Sequence, residues 1–476
     1  MSQPMFRRAP LAVAILSALS LPAQSALVDE EATPAFVVHS TTQGYSISSY
    51  DIAALPNRRV AVLWTEHQSG SSFPDRVLLQ RFDHQGQPVG EQLTLFEEGL
   101  LELIPSYTVS LTHARLAADA SGNMVATWGI QTGPLNTVCD GDAALVRIRA
   151  NDTITGLSLV QDDQVLTDGG HCYPSVAMDE DGDFAVLWRH ETDDLDRYML
   201  RTFLANGTPI SGYVEVAEPS INLAGGAIAM QRDGTLLVGW QAEQSVGQEF
   251  ILGTRYSLAG EAQDTVPFRL DNDSQEGFSV FQRDPSLTAD QEGGFVAVWA
   301  QLTPLAADEG DPDNGLSVRG QRWRADGTPG DSLLAGGRQY NGSNSFSAPG
   351  VGADTQGNLA TAWFYRTPGG QWDPAATLLD ANSEVIGEAA QPFVEDPATD
   401  TRVSHPRVAM NNQLIAVAWS EREASNNDTE LKVRIFPPLA EPTPGSSGGG
   451  GGGGPVGPLA LLAVLLASTW RRLSRR

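Results

Sequence analysis

The sequence predicts an all-β chain folded as a seven-bladed β-propeller of four-stranded blades. Seven short apolar segments share one pattern with a tryptophan at an equivalent position, and neighbouring tryptophans are separated by 52 to 64 residues: Trp64, Trp128, Trp188, Trp240, Trp299, Trp363 and Trp419. A tight turn precedes most of these segments, and no long stretch has helical periodicity. Self-similarity at a regular period is typical of repeat architectures such as propellers. The repeated body spans residues 35–437.

Each copy is predicted to contain four short strands. A short apolar run such as "SVAM" comes first, and a turn such as "DASGN" (from Asp119) or "DTQGN" (from Asp354) follows it. In these turns, Asp hydrogen-bonds to the backbone and Gly accepts a positive φ. The tryptophan segment forms the second strand, and two further runs joined by another turn complete the copy.

The tryptophan strand is apolar on both faces. In "FVAVW", Phe295, Ala297 and Trp299 share one face, and Val296 and Val298 lie on the other. A strand buried on both sides needs a sheet against each face, as in a propeller. A two-sheet sandwich of this size would leave the second face of most strands exposed to water. Two smaller domains are the remaining alternative. The tryptophans are therefore predicted in the core rather than on a sugar-stacking surface. Trp372, in a predicted loop, is the better candidate for ligand contact.

The seventh copy has no fourth strand of its own, because "PPLAEPTPG" follows its third run. The segment Ala35–Thr41, "AFVVHST", precedes the first copy and has the length and polarity of the missing strand. We expect it to complete the seventh blade and close the ring. The segments between second and third strands, such as 132–142 and 302–314, should then cluster on one rim.

The N-terminus has the three parts of a secretory signal peptide, assigned to residues 1–25. Arg7 and Arg8 precede a short apolar run, and small residues around Ser25 and Ala26 provide a cleavage site. A retained membrane helix is the weaker alternative, because the run is too short to span. Signal peptidase and the export machinery are the implied partners.

Two cysteines, Cys139 and Cys172, occur in the chain. In the oxidising compartment that export implies, one disulfide between them is the natural pairing. A metal or redox role, with the adjacent His171, is the alternative.

The formal net charge of -28 excludes nucleic acid and anionic lipid as partners of the body. High solubility explains this charge more directly than a cation-binding surface does. Two acidic segments are weak calcium candidates, although a hairpin turn and a solvated loop are the favoured interpretations: Asp179, Asp181 and Asp183, and Asp308, Asp311 and Asp313. No other metal or cofactor is predicted.

No catalytic set can be selected from the sequence. The seven histidines are scattered, and no nucleophile elbow, phosphate-binding loop or dinucleotide motif occurs. Carboxylates are too abundant for spacing to single out an acid–base pair. The copies also lack the repeated S-x-D-x-G-x-T-W box of sialidase-type propellers.

The C-terminus contains a Pro/Gly/Ser-rich linker (438–454), an apolar segment (455–470) and a basic tail (471–476). At ~1.5 Å per residue, the apolar segment spans ~24 Å, short of the ~30 Å hydrocarbon core of a bilayer. It suits temporary residence in a membrane better than permanent anchoring. The arginines of the tail would remain cytoplasmic, so the body would face the periplasm.

These three parts resemble the GlyGly-CTERM sorting signal of Gram-negative bacteria. The resemblance covers about the last 32 residues: "SSGGGGGGG", "PLALLAVLLASTW" and "RRLSRR". It implies cleavage by the rhomboid-like membrane protease rhombosortase, after a transient stay in the inner membrane, and delivery to the cell surface or exterior. The processing strip would comprise Gly448, Gly449, Gly450, Gly451, Gly452, Gly453 and Gly454. Pro455 and Pro458 interrupt the start of the apolar segment and leave the cleavage position open.

The sequence therefore predicts an exported surface or secreted propeller that binds an unknown ligand or protein without catalysis. An extracellular polysaccharide hydrolase or lyase, with its carboxylates on rim loops, is the alternative.

Overall fold

The computed structural model describes residues 33–41, 45–68, 75–97, 110–131, 141–160, 169–192, 196–216, 224–245, 248–271, 281–290, 293–303, 315–339, 348–366, 372–386, 391–392, 401–423 and 429–438. Within these ranges, 28 β-strands form seven four-stranded antiparallel blades. The predicted all-β, seven-bladed propeller is therefore confirmed. The predicted signal peptide, sorting helix and basic tail lie outside the described residues. No helix in the described ranges is long and apolar enough to cross a membrane.

Blades are numbered 1 to 7 along the chain. The first strands of neighbouring blades contact one another around the ring and line its channel. These inner strands are β2 (Tyr45–Leu55), β6 (Ser110–Ala118), β10 (Gly170–Met178), β14 (Ala224–Met230), β18 (Phe281–Ala289), β22 (Gly350–Ala353) and β26 (Thr401–Asn411). The second strands are β3 (Arg59–Gln68), β7 (Met124–Gln131), β11 (Phe184–Glu191), β15 (Leu236–Ser245), β19 (Phe295–Thr303), β23 (Leu359–Arg366) and β27 (Leu414–Glu423).

The third strands are β4 (Arg76–Asp83), β8 (Gly141–Ile148), β12 (Asp196–Phe203), β16 (Gln248–Tyr256), β20 (Gly315–Trp323), β24 (Trp372–Leu379) and β28 (Thr429–Phe436). The outer strands are β5 (Pro88–Glu97), β9 (Ile154–Leu159), β13 (Val214–Glu215), β17 (Phe268–Arg269), β21 (Pro329–Gln339), β25 (Gln391–Pro392) and β1 (Phe36–Ser40). Blades 4 and 5 are also joined by one parallel residue pair between β16 and β18.

Every repeat tryptophan lies on a second strand and is at most 2% exposed. The buried apolar side chains form seven clusters, and each cluster fills the seam between two neighbouring blades. Each seam receives one repeat tryptophan, which packs against the preceding blade. Trp128 of blade 2, for example, packs with Leu63 and Leu79 of blade 1. The predicted core role of these tryptophans is therefore confirmed.

The repeated turns have the geometry that their sequence predicts. In the turn before β7, Asp119 Oδ1 accepts hydrogen bonds from the N–H groups of Ser121 (2.8 Å) and Asn123 (2.8 Å). Gly122 has φ +84°, a conformation that favours glycine. The turn from Asp354 repeats the same bonds at 2.8 and 2.9 Å. This turn directs each second strand back along its inner strand.

The third strands of five blades hydrogen-bond to the next blade from equivalent positions. Each bond ends on a backbone carbonyl oxygen in or beside a turn of the following blade, and the donors are Arg81, Arg147, Thr202, Arg255 and Arg322. In blade 6 the equivalent residue is Leu378. Blade 7 has no turn between its third and outer strands, because its outer strand comes from the other end of the described chain, so no acceptor exists for blade 6.

The ring closes as predicted. β1 pairs antiparallel with β28 and completes blade 7, with Phe36 opposite Val433. Thr33 donates from its N–H to Ile435 O at 3.0 Å and from its hydroxyl to His84 O of blade 1 at 3.3 Å. His39 Nε2 lies 2.7 Å from the buried carboxylate of Glu66 on blade 1. The closing strand therefore holds blades 7 and 1 together.

Candidate functional site

Six of the seven inner strands break register near one level of the channel. The breaks fall at Ile47/Ser49 on β2, Thr112/Arg115 on β6, Cys172/Ser175 on β10, Ala224/Ala227 on β14, Arg283/Ser286 on β18 and Ser404/Arg407 on β26. The strand β22 of blade 6 begins just beyond this level, at Gly350. A bulge leaves a residue unpaired and redirects its side chain, so the inner strands present a ring of side chains to the channel.

We call the equivalent positions at this level the bulge ring, and it comprises Ser49, His113, Tyr173, Gly225, Asp284, Ala348 and His405. Ser49 differs from the others on the interrupted strands, because it pairs with Thr65 and the unpaired residue of β2 is Ser48. Three non-glycine residues of the ring, His113, Tyr173 and Asp284, each have φ +53°. A non-glycine residue at positive φ is uncommon and costs conformational energy. The same strained conformation recurs in three blades with three different side chains. The backbone geometry is therefore repeated while its chemistry varies.

Hydrogen bonds between blades hold the ring on its blade 1 side. Ser49 Oγ accepts from Ala114 N at 2.9 Å, and Asp51 Oδ2 accepts from Leu116 N at 2.9 Å. Tyr50 donates its hydroxyl to His405 O of blade 7 at 2.7 Å. These bonds fix the inner strands of blades 7, 1 and 2 relative to one another.

Contacts between ring members complete this side. The rings of His113 and Tyr173 meet edge to face, with centroids 4.1 Å apart. His405 Nδ1 accepts from Ala348 N at 3.2 Å. Because Nδ1 is the acceptor, the neutral imidazole carries its proton on Nε2 and can donate from there.

The ring has two unlike halves. Blades 7, 2 and 3 carry the large side chains His405, His113 and Tyr173, and blade 1 carries Ser49. Arg407, Asp51 and Arg115 follow two residues after the ring positions of blades 7, 1 and 2. Blades 4 to 6 carry short side chains at both levels: Gly225, Ala227, Asp284, Ser286, Ala348 and Gly350. A Cβ on Gly225 would lie 3.0 Å from Pro285, and one on Gly350 would lie 3.1 Å from Pro406 O. Glycine therefore lets these inner strands pack closely, and the side chains at these six described positions are short.

We define the basic arc as His405 and Arg407 of blade 7 together with His113 and Arg115 of blade 2. The charge of Arg407 lowers the pKa values of both His113 and Arg115, although blade 1 lies between their blades. The inner strands of blades 7 and 2 both contact that of blade 1, so the basic arc is formed by the two strands on either side of β2. Only one carboxylate, Asp51, acts on Arg115 from among the described residues, and it raises the pKa of Arg115.

The electrostatics of the basic arc set its charge at neutral pH. Burial, Arg115 and the other basic neighbours lower the pKa of His113 to about 3. Burial, Arg407 and Arg115 lower the pKa of His405 to about 4. Burial and Arg407 lower the pKa of Arg115 to about 9, so its guanidinium remains protonated at neutral pH. Both imidazoles are then neutral, and the two guanidinium groups face one acid.

A cavity of about 690 Å³ occupies the opposite mouth of the channel. It lies among the turns between inner and second strands, and its lining includes Met178, Met230 and Met410. Asp179, Asp290 and Asp354 also border it. These carboxylates already accept backbone hydrogen bonds or an ion pair: Asp179 binds two turn N–H groups at 3.0 and 2.9 Å, and Asp290 pairs with Arg322 at 2.6 Å. This mouth is built mainly from turn structure.

The residues singled out in the sequence do not meet at one site. Asp179 and Asp183 belong to the hairpin turn before β11, where Asp183 Oδ1 accepts from Ala205 N at 2.8 Å. Within the described ranges, no three His, Cys, Asp or Glu side chains gather in a metal-binding group. Asp308, Asp311 and Asp313 lie outside those ranges. Cys172 is buried on β10 and is disulfide-bonded, and its predicted partner Cys139 lies outside the described residues.

Trp372 was placed in the wrong element. It is the first residue of β24, where it pairs with Arg366, rather than part of a loop. The third strand β24 pairs with the second strand β23 as far as Trp372, although the glycines that precede Trp372 in the sequence are typical of a loop. The prediction that segments 132–142 and 302–314 lie between second and third strands is confirmed, since they include the connections from β7 to β8 and from β19 to β20. Their clustering on one rim concerns residues outside the described ranges and stays a prediction.

The bulge ring was not predicted from the sequence. Its seven positions have no residue type in common, so the repeat pattern does not reveal them. One signal was present: proline follows the ring position in four copies, as Pro174, Pro285, Pro349 and Pro406. Proline removes a backbone donor, which suits a position where the ladder is interrupted.

No protein-family model and no curated protein matches this chain. Solved structures with a similar backbone include a protein of unknown function from Dyadobacter fermentans, at 10% identity and TM-score 0.46, covering 85% of this chain and 99% of the other. They also include an α-L-arabinofuranosidase of Fusarium graminearum, at 11% identity and TM-score 0.46, covering 70% and 95%. A Trypanosoma rangeli sialidase matches at 8% identity and TM-score 0.42, covering 90% and 57%. The fold assignment rests on the strand topology of this chain itself.

Proposed function

We propose that this protein is an exported, non-catalytic binding module that holds its ligand at the bulge-ring end of the channel. The observation that carries the proposal is the ring itself. A positive backbone φ recurs at the ring positions of blades 2 to 5, and the side chains at these positions differ from blade to blade. Strained residues that the surrounding structure holds in place occur frequently at ligand sites. A rigid scaffold with varied side chains at one mouth suits recognition.

The charges favour binding over catalysis. A general base works best when its pKa lies near the working pH, whereas those of His113 and His405 are lowered to about 3 and about 4. Burial raises the pKa of Tyr173, which makes the phenol harder to ionise. Asp51 already accepts a hydrogen bond from Leu116 N. The ring residues thus supply hydrogen-bond donors, and Arg115 and Arg407 beside them supply positive charge, rather than a tuned acid–base pair.

The export route is part of the same proposal. The signal peptide would direct the chain across the inner membrane, and the GlyGly-CTERM-like tail would hold it there until a rhombosortase-like protease cuts at the glycine strip. The product would reach the cell surface or exterior. Cell fractionation with C-terminal mass mapping tests this route. An intact Arg476 on the form that persists in the envelope would contradict it.

Binding is tested with an immobilised glycan panel and with envelope material. We expect captured ligand to be lost in Arg407→Gln and reduced in Tyr173→Phe. The matched control is Arg59→Gln, an exposed arginine at the opposite mouth of the channel, which should bind like wild type. Equal binding by all four proteins would place the ligand elsewhere.

The alternative function, a polysaccharide hydrolase or lyase, is tested on the same panel. The readouts are release of reducing ends and ultraviolet absorbance of newly formed carbon–carbon double bonds. We expect no turnover. Turnover that disappears in Asp51→Asn or Tyr173→Phe would overturn the non-catalytic proposal.

A further inference from the structure

The basic arc is an exception to the charge of this protein. The chain carries 58 acidic residues and 30 lysines and arginines. Several arginines of the frame pair with a carboxylate of the fold: Arg255 lies 2.6 Å from the carboxylate of Asp264, and Arg322 lies 2.6 Å from that of Asp290. The two arginines of the basic arc, Arg115 and Arg407, do not form such an ion pair among the described residues.

Among the described residues, neither Arg115 nor Arg407 has a carboxylate oxygen within 4.0 Å. Arg115 donates from Nη1 to the carbonyl oxygen of its neighbour Ala114 at 2.9 Å, which leaves its other donors free to meet a ligand. His113 Nδ1 is buried and has no hydrogen-bond partner in the described structure. Two cationic groups and a partnerless imidazole nitrogen therefore share one channel wall, and repulsion between the guanidinium groups is only partly offset by Asp51.

We propose that the basic arc binds the carboxylate group of a small acidic sugar, with Arg115 and Arg407 as its two cationic partners. This inference rests on the proposed binding function and names the chemical class of its ligand. Guanidinium groups match a carboxylate with paired, charge-assisted hydrogen bonds. His405, which donates from Nε2, supplies a neutral donor for a sugar hydroxyl. The ring positions of blades 4 to 6 carry only short side chains, so the polar groups for the ligand come from blades 7, 1 and 2.

The negative charge of the propeller favours a single acidic sugar, or the acidic end of a sugar chain, over a long polyanion. At physiological salt, charges interact over ~8 Å, so one carboxylate in the channel meets chiefly the basic arc. A polymer with a carboxylate on every residue would extend over the acidic surface and be repelled. The ligand is therefore a monomeric or terminal uronate rather than the interior of a polyuronate.

Galacturonate and galactose make a matched pair of probes, because they differ only in a carboxylate against a hydroxymethyl group at one carbon. Calorimetry with the mature protein should give galacturonate at least about tenfold tighter binding than galactose. Arg115→Gln and Arg407→Gln should each weaken galacturonate binding by about tenfold or more and leave galactose nearly unchanged. Arg59→Gln is the control for general charge, and melting curves verify that every variant is folded.

Four further outcomes decide the inference. If inorganic sulfate binds as tightly as galacturonate in a competition experiment, the site accepts any small oxyanion, and the assignment to a sugar carboxylate is wrong. Tighter binding of polygalacturonate than of the monomer, per binding site, would overturn the preference for a single residue. If neutral glycans bind and lose affinity in Tyr173→Phe while galacturonate does not bind, the proposed binding function stands and this inference is wrong. If neither kind of probe binds, both fail.

Discussion

Every second strand carries a tryptophan at one position, whereas the bulge position of the inner strand beside it carries serine, histidine, tyrosine, glycine, aspartate or alanine. Both positions recur at the same level in the blades, so geometry alone does not explain the contrast. The tryptophan fills a seam that is nearly identical in all seven places. The bulge residues meet unlike neighbours: Ser49 accepts a hydrogen bond from Ala114 N, His113 packs against Tyr173, and Gly225 lies against Pro285. Repeated residues therefore maintain the frame, and variable residues on a repeated backbone are available for recognition.

The frame should depend most on its closing strand. Deletion of residues 30–42 would expose β28 as an edge and remove Phe36 from the core between blades 7 and 1. It would also remove His39 from Glu66, whose carboxylate is 2% exposed and would be left with its ion pair with Arg76. We expect loss of cooperative unfolding, or the largest drop in melting temperature of any change considered, by differential scanning calorimetry. Truncation after residue 438 should leave the melting temperature unchanged. Equal effects of both deletions would contradict the closure.

A seam tryptophan should matter more for stability than a ring residue. Trp188 is fully buried and donates from Nε1 to His171 Nδ1 at 3.2 Å. Trp188→Ala should lower the free energy of unfolding by ~3–5 kcal/mol, the usual cost of deleting a large buried aromatic side chain. Tyr173→Ala, on the ring of the same blade, should cost ~1 kcal/mol, because this side chain is only half-buried. Chemical denaturation measures both, and a larger loss for Tyr173→Ala would reverse the contrast between frame and ring.

The arginine contacts between blades should come next. Arg322 donates to Gly357 O at 2.8 Å and to Asp380 O at 3.0 Å on blade 6, and it pairs with Asp290. Arg322→Leu should cost ~3 kcal/mol, since it removes one partner of a buried ion pair. The nearby Arg324 is exposed and bonds only within its own turn, at Thr328 and Pro329. Arg324→Leu should change stability by less than ~0.5 kcal/mol. Similar losses in the two variants would show that charge, and not the contact between blades, is responsible.

The same contrast explains what the sequence could predict. Trp128 and its counterparts, the Asp119 type of turn and the closing segment were all predictable, because packing in a repeated seam imposes the same residue on every copy. His113, Arg115, His405 and Arg407 were not, because they lie far apart in sequence and share no spacing. Ring closure alone brings blades 7 and 2 to either side of blade 1. In the sequence, only the proline that follows the ring position in four copies indicates where along the inner strands the site lies.

The smallest expected effect concerns the ring and its response to acid. The pKa of His113 is lowered to about 3, mainly by burial and then by Arg115 and Arg407, whereas an unfolded histidine titrates near ~6.5. Below pH ~6.5 the unfolded chain therefore binds a proton at His113 that the folded chain does not bind. The free energy of unfolding falls for this reason as the pH falls toward 3, and His113 does not affect it above pH ~6.5. His113→Asn removes this contribution. The loss of unfolding free energy between pH 7 and pH 4 should be smaller than in wild type by ~1–2 kcal/mol, allowing for screening by channel water. Parallel pH profiles of the two proteins would mean that His113 titrates normally and that the channel wall is better solvated than its neighbours indicate. A steeper profile in the variant would show that the imidazole is charged in the folded protein, which would add a third cation to the basic arc.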